Sequence, residues 1–120
     1  MNVQVKPADP LTLSVQCKGA VVQNYRFMMI KPNGEHVEVS GSNAQATTTD
    51  SHAHEFPPSI PQGTKIRGIL SYATTNGAQP FIGEVKLLQG GAVVPNSVDT
   101  DSRSTSADGV AAHFVDYTVI

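Results

Sequence analysis

Residues 60–90 read IPQGTKIRGILSYATTNGAQPFIGEVKLLQG, and the alternation within them decides the fold class. Ile66, Gly68, Leu70 and Tyr72 fall on one parity; Lys65, Arg67, Ile69 and Ser71 fall on the other. Side chains alternate across a strand, so the first set faces a core and the second mostly faces water. A helix would need apolar residues three and four apart, and Gly68 would weaken it. Thr75-Asn76-Gly77-Ala78 supplies turn chemistry, because Asn and Gly tolerate positive φ. Phe81, Gly83, Val85 and Leu87 then alternate with Ile82, Glu84, Lys86 and Leu88, and Gly90-Gly91 predicts a bulge or bend at the strand's end. The stretch is a Pro-Gly corner, a strand, a polar turn and a second strand. The other strands are expected to pack on or beside this pair.

Outward from it, the same period recurs. Leu11 to Cys17 alternates cleanly after the Pro7–Pro10 break. Val21 to Ile30 follows, with Tyr25, Phe27 and Met29 on one face. Lys31-Pro32-Asn33-Gly34-Glu35 is a hairpin signal, with Pro suited to the second turn position and Gly to the left-handed one. His36 to Ser40 returns. GSNAQATTTDS (41–51) has no large apolar residue and reads as a polar loop or weak edge strand. Phe56 to Pro61 carries three prolines that lack donors, so it crosses between sheets rather than joining a ladder. Asn96 to Gly109 is polar and loop-like, and Val110 to Ile120 is the last strand.

The 120 residues fit one domain, 1–120, long enough for a core without staples. Charged residues are only 15%, while 8 Pro and 10 Gly favour many short strands and turns over helices. The expected fold is all-β: an antiparallel β-sandwich of two sheets with Greek-key connections, about seven to nine strands and no substantial helix. A partly closed barrel or jelly roll is the other arrangement this pattern allows. The predicted core is Leu11, Leu13, Val15, Tyr25, Phe27, Val37, Ile66, Leu70, Phe81, Val85 and Phe114. A net charge of −2 gives no pull toward nucleic acid, and no run reaches membrane-spanning length. MNVQVKPADP has no apolar signal region, so a cytoplasmic protein, or one exported without a cleavable signal, is expected. Cys17, the single cysteine, lies on the parity of Leu11, Leu13 and Val15 and reads as a small buried hydrophobe.

Chemistry-bearing residues gather in two places. His52-Ala53-His54 puts two imidazoles on one face of an extended segment, a spacing that can ligate one metal with a third ligand from elsewhere. Asp99-Thr-Asp101-Ser-Arg103 opens like a calcium loop, although Arg103 takes a usual ligand position. His52, His54, Asp99 and Asp101 are therefore the candidate ligands for a divalent metal, with no other cofactor expected. No nucleophile elbow or phosphate loop is present. The chain lacks Trp and has few exposed aromatic positions for stacking sugars.

Two resemblances are local. His-x-His in a small all-β chain resembles the start of a cupin metal site, but Ala46 stands where that motif has Gly, and Pro58 or Ser59 where it has an acid. Ile60-Pro61-x-Gly63-Thr64, followed by alternating residues and Asn76-Gly77, resembles the corner and next strand of fibronectin type III domains. It implies an immunoglobulin-like sandwich; Ile66 stands in place of that family's corner tyrosine, and the early tryptophan is missing. The functional expectation is a non-enzymatic binding module presenting the polar stretches 41–55 and 96–109 to a protein or glycan. The alternatives are a metal-binding protein or enzyme using His52 and His54, and a structural or assembly subunit.

Overall fold

The computed structural model describes residues 1–42 and 49–120; residues 43–48, the middle of the polar stretch after Ser40, lie outside the described residues. Among the described residues the alternating sequence becomes ten strands, two of them only two residues long: β1 (Asn2–Val3), β2 (Leu11–Lys18), β3 (Val21–Ile30), β4 (His36–Ser42), β5 (Thr49–Phe56), β6 (Lys65–Ala73), β7 (Pro80–Gln89), β8 (Ala92–Val93), β9 (Asp99–Ser104) and β10 (Val110–Val119). One sheet runs β1-β10-β6-β3-β4 and the other β5-β2-β7-β8, with β9 pairing on β7 beside β8. All these pairs are antiparallel except the short β1–β10 contact. The two sheets enclose a shared apolar core, so the chain is a β-sandwich.

The predicted turns hold their positions. Gly34 takes φ 88° and its N–H donates to the Lys31 carbonyl at 2.9 Å, closing the β3–β4 hairpin. Gly90 and Gly91, both at positive φ, join β7 to β8 as a two-residue hairpin rather than a bulge. The Asn76-Gly77 turn also forms at positive φ, but it does not make β6 and β7 a hairpin. It carries the chain from one sheet to the other. β6 lies between β10 and β3, whereas β7 lies between β2 and the β8/β9 edge. The two strands are therefore the middles of opposite sheets.

Leu11, Leu13, Val15, Phe27, Ile66, Leu70, Phe81 and Val85 are buried as expected. Tyr25 and Val37 are only partly buried against that core. Phe114 is the substantive correction, with 59% of its surface exposed. On β10 the inward parity is Ala111, His113, Val115, Tyr117 and Val119, which leaves Phe114 on the outer face. A second correction concerns 96–109, which reads as a loop: residues 99–104 are a strand. In the other polar stretch the edge-strand alternative holds from Thr49 on, where β5 forms the edge of its sheet.

Two tyrosines of the first sheet span the core. The Tyr72 ring packs on Phe81 with centroids 5.0 Å apart, and its hydroxyl fills the space that a Cβ at Gly83 would occupy. Tyr117 donates to the Ser97 carbonyl at 2.5 Å, while Ser97 Oγ accepts from the Leu87 N–H at 3.1 Å. Gly83→Ala should destabilise the fold by about 1–3 kcal/mol, the usual cost of overpacking. Tyr72→Phe should cost about 1–3 kcal/mol by removing a buried hydrogen bond. The Tyr72 ring atoms Cζ and Cε2 would lie 2.5 and 2.8 Å from the new methyl, and both remain in phenylalanine. In urea unfolding Gly83→Ala should therefore cost about as much on a Tyr72→Phe background as in the wild type, and less on Tyr72→Ala, which removes the ring. An equal cost on all three backgrounds would show that the ring and residue 83 do not meet.

Candidate interaction face

On β5, Asp50, His52, His54 and Phe56 share one parity, so the two histidines do face the same way; Asp50 and Phe56 are buried and the histidines partly so, which makes this the interior side of the sheet. The Asp50 carboxylate accepts from the Val22 N–H at 2.8 Å and lies 3.2 Å from His52 Nε2. The His52 ring lies against Tyr25, and His54 meets the edge of Phe56, each with centroids 4.7 Å apart. Asp99 and Asp101 lie on β9 at the other edge of that sheet, with β2 and β7 between. At about 4.8 Å per strand, the two candidate pairs stand roughly 14 Å apart. They do not meet around a cavity. Among the described residues, no three His, Cys, Asp or Glu side chains are grouped to hold a metal.

Sequence reasoning missed what these acids do instead. His113 is buried on β10, its Nε2 3.0 Å from Asp99 Oδ1 and its Nδ1 2.7 Å from the Tyr72 hydroxyl. An ionised carboxylate only accepts, so Nε2 carries the proton. In the neutral ring Nδ1 then accepts from Tyr72. The chain Tyr72–His113–Asp99 ties β6, β10 and β9 together across the sandwich. Next to it, Asp101 accepts from Arg103 Nε at 2.9 Å, and Arg103 Nη2 donates to the Ala112 carbonyl at 2.6 Å. Register sets Asp50, Cys17, Gly83 and Asp101 in one row across β5, β2, β7 and β9. Cys17 is fully buried in that row, and burial pushes its thiol up to about 11. Burial also raises the Tyr72 and Tyr117 hydroxyls above their ordinary range.

The exposed chemistry is on the outside of the β1-β10-β6-β3-β4 sheet. Val110, Ala112, Phe114, Asp116 and Thr118 point outward from β10 and pair in register with Ala73, Ser71, Ile69, Arg67 and Lys65 of β6. Phe114 and Ile69 (38% exposed) thus form an apolar cross-strand pair open to solvent. Beside Ile69, Arg26 of β3 makes a bidentate ion pair with Glu38 of β4. Arg67 and Asp116 form a second pair at 3.5 Å. Met28, in register with both Arg67 and Glu38, is only 8% exposed despite its outward position. A shallow depression of about 570 Å³, lined by Asn24, Arg26, Ile69, Ser71 and Ala112 among others, runs along this face. The opposite outer face differs. Its exposed Ile82 is flanked in register by Lys18 and Ser102, with no apolar partner.

No family model, curated protein or solved structure matches the chain.

The buried thiol and hydroxyls give a signed pH dependence. A Cys17 pKa raised from 9.0 to about 11 means that, between those values, the unfolded chain holds fewer protons than the folded one. Stability is then intact below pH 9 and falls as pH rises toward 11. The slope should reach at most about 1.4 kcal/mol per pH unit for one group. Urea unfolding of the wild type and of Cys17→Ala tests this: the variant should begin its decline later, where the tyrosines titrate. Coincident profiles would remove Cys17 from the account.

Proposed function

We propose that the chain is a non-enzymatic protein-interaction module that binds through the outer face of its β10-β6-β3-β4 strands. The observation that carries this reading is Phe114. It sits in the middle of a fully paired strand, 59% exposed, with Ile69 opposite it and Val110 and Ala112 exposed nearby. At 59% exposure, most of the ring lies in solvent rather than in the core. Contiguous exposed apolar surface rimmed by charge is a mark of contact sites.

Two further observations support the reading. Several groups able to do acid–base or nucleophilic chemistry are engaged elsewhere: His113 between Tyr72 and Asp99, Asp101 on Arg103, and Cys17 in the core. In the polar stretches 41–55 and 96–109, Asp50, Asp99 and Asp101 turn toward the sandwich, while Glu55 faces outward; the inward turn of those three favours the sheet face over the loops as the contact surface. The pairing also supports an immunoglobulin-like reading. β2 with β5 corresponds to the B–E pair of that class, and β3-β6-β10 corresponds to C-F-G. The departure is β7, which occupies the place beside β2 where that class puts its first strand.

A photo-crosslinking phenylalanine derivative placed at position 114, in the protein expressed in its source cells, should yield protein adducts. The same group at Ala53, on the opposite outer face, should yield none. Equal labelling at the two sites, or no adduct at 114 of any kind, would contradict the proposal. As a control, Phe114→Ser should change unfolding free energy by no more than about 0.5 kcal/mol, as expected for a surface site; a loss like that of a core phenylalanine would mean the ring serves the fold.

A further inference from the structure

We infer that the partner this face fits is a second copy of the chain, docked about a twofold axis that runs along the strands between β10 and β6. The inference rests on the reading of this face as an interaction surface and adds the identity of its occupant. It comes from the register. The outward rows of β10 and β6 are Val110–Ala73, Ala112–Ser71, Phe114–Ile69, Asp116–Arg67 and Thr118–Lys65. A twofold axis between these two strands lays β10 of one copy over β6 of the other, row upon row. Every contact then occurs twice, as in any isologous interface. Phe114 covers Ile69 of the second copy, and Asp116 lies on Arg67 of the second copy. Thr118 falls opposite Lys65. The apolar pair and the charged pair are both satisfied by the same operation.

The second observation is the exposed remainder of the charged row. Arg67 Nε and Asp116 Oδ1 face each other at 3.5 Å, closed off from solvent, and stay paired within the chain. About two fifths of each side chain is still exposed, and in the twofold arrangement those outer parts meet their complements on the other copy. The charge on the face argues the same way. Lys65, Arg67 and Arg26 are balanced by Asp116 and Glu38, so the surface is mixed in sign and complementary to itself rather than to a strongly acidic or basic partner. The depression beside Ile69 lies next to the position where Phe114 of the second copy arrives.

The size of the face sets the strength. The axis lays β10 and β6 over each other in full, whereas β3 meets only the two-residue β1 of the other copy. Two strands by nine residues cover roughly 10 by 30 Å, on the order of 300 Å² per copy. The total, about 600 Å², is that of a weak, transient contact. The dimer is therefore weak and concentration-dependent.

Sedimentation equilibrium over a range up to about 1 mM, where weak complexes of this class assemble, should show the wild-type mass rising from monomer toward dimer. Phe114→Ser should remain monomeric. Arg67→Asp and Asp116→Arg should each be monomeric alone, since each places like charges opposite one another. Mixed in equal amounts, these two should form a heterodimer, because the two carboxylates that the first variant presents in this row then face the two guanidinium groups of the second. Circular dichroism establishes that each variant is folded. The intrachain pair is broken in both charge variants, so rescue on mixing reports the contact between copies alone. A wild type that stays monomeric, a dimer that survives all three substitutions, or a failure to associate on mixing would overturn the inference. A monomeric wild type that still gives heterologous adducts from position 114 retires the second copy and leaves the interaction reading standing. No adduct at all retires both.

Discussion

The placement of the Tyr72 hydroxyl against Gly83 is the constraint on which the rest of the molecule depends. β6 and β7 are central strands of opposite sheets, and here a side chain of one fills the space beside the backbone of the other. A side chain at residue 83 would force the sheets apart. With glycine there, the hydroxyl reaches His113 at 2.7 Å, and His113 reaches Asp99 at 3.0 Å. One buried phenol therefore fixes the sheet separation and anchors β9, an edge strand with no large apolar residue of its own. A buried polar chain of this kind is stable only when every member is satisfied, and here each is.

That arrangement determines what is left for function. The residues that look chemical in the sequence are used in holding the sandwich together. Asp50 takes the Val22 amide and faces His52, Asp99 takes His113, and Asp101 takes Arg103. The inward turn of His113 also fixes the parity of β10. Because His113 faces in, Phe114 must face out. The exposed ring and the internal network are thus two consequences of one choice of face, and the interaction surface follows from the packing of the core.

Much of the architecture is legible in the sequence because side-chain period is a local property. The alternation in β2, β6 and β7 names their inner faces correctly, and the Pro-Asn-Gly and Gly-Gly turns fall where their dihedral needs put them. Which sheet a strand joins is not local. Asn76-Gly77 suits a hairpin and a crossing equally; the pairing of β7 with β2 and the packing of Tyr72 over Gly83 accompany the crossing. Phe114 is misplaced only when it is read alone: Val115, Tyr117 and Val119 lie on the other parity, whereas Asp116 and Thr118 share its own. What the pattern does not show is why His113 is accommodated inside; its partners, Tyr72 and Asp99, lie 41 and 14 residues away. β9 resembles a loop for the same reason: its inward residues are acids whose counterparts are distant. The shared face of His52 and His54 is legible from their spacing, but the burial of that face depends on the opposing sheet.

The central claim is that this sandwich uses its polar interior for structure and one outer sheet face for contact. Backbone amide and methyl NMR spectra recorded across a dilution series test it most directly. Concentration-dependent shifts should concentrate at Ile69, Ser71, Ala112, Phe114 and Asp116, with Ser14, Ala53 and Ile82 on the opposite face unchanged. Shifts centred instead on the β5 histidines, on residues 96–109, or on the opposite sheet face would contradict it.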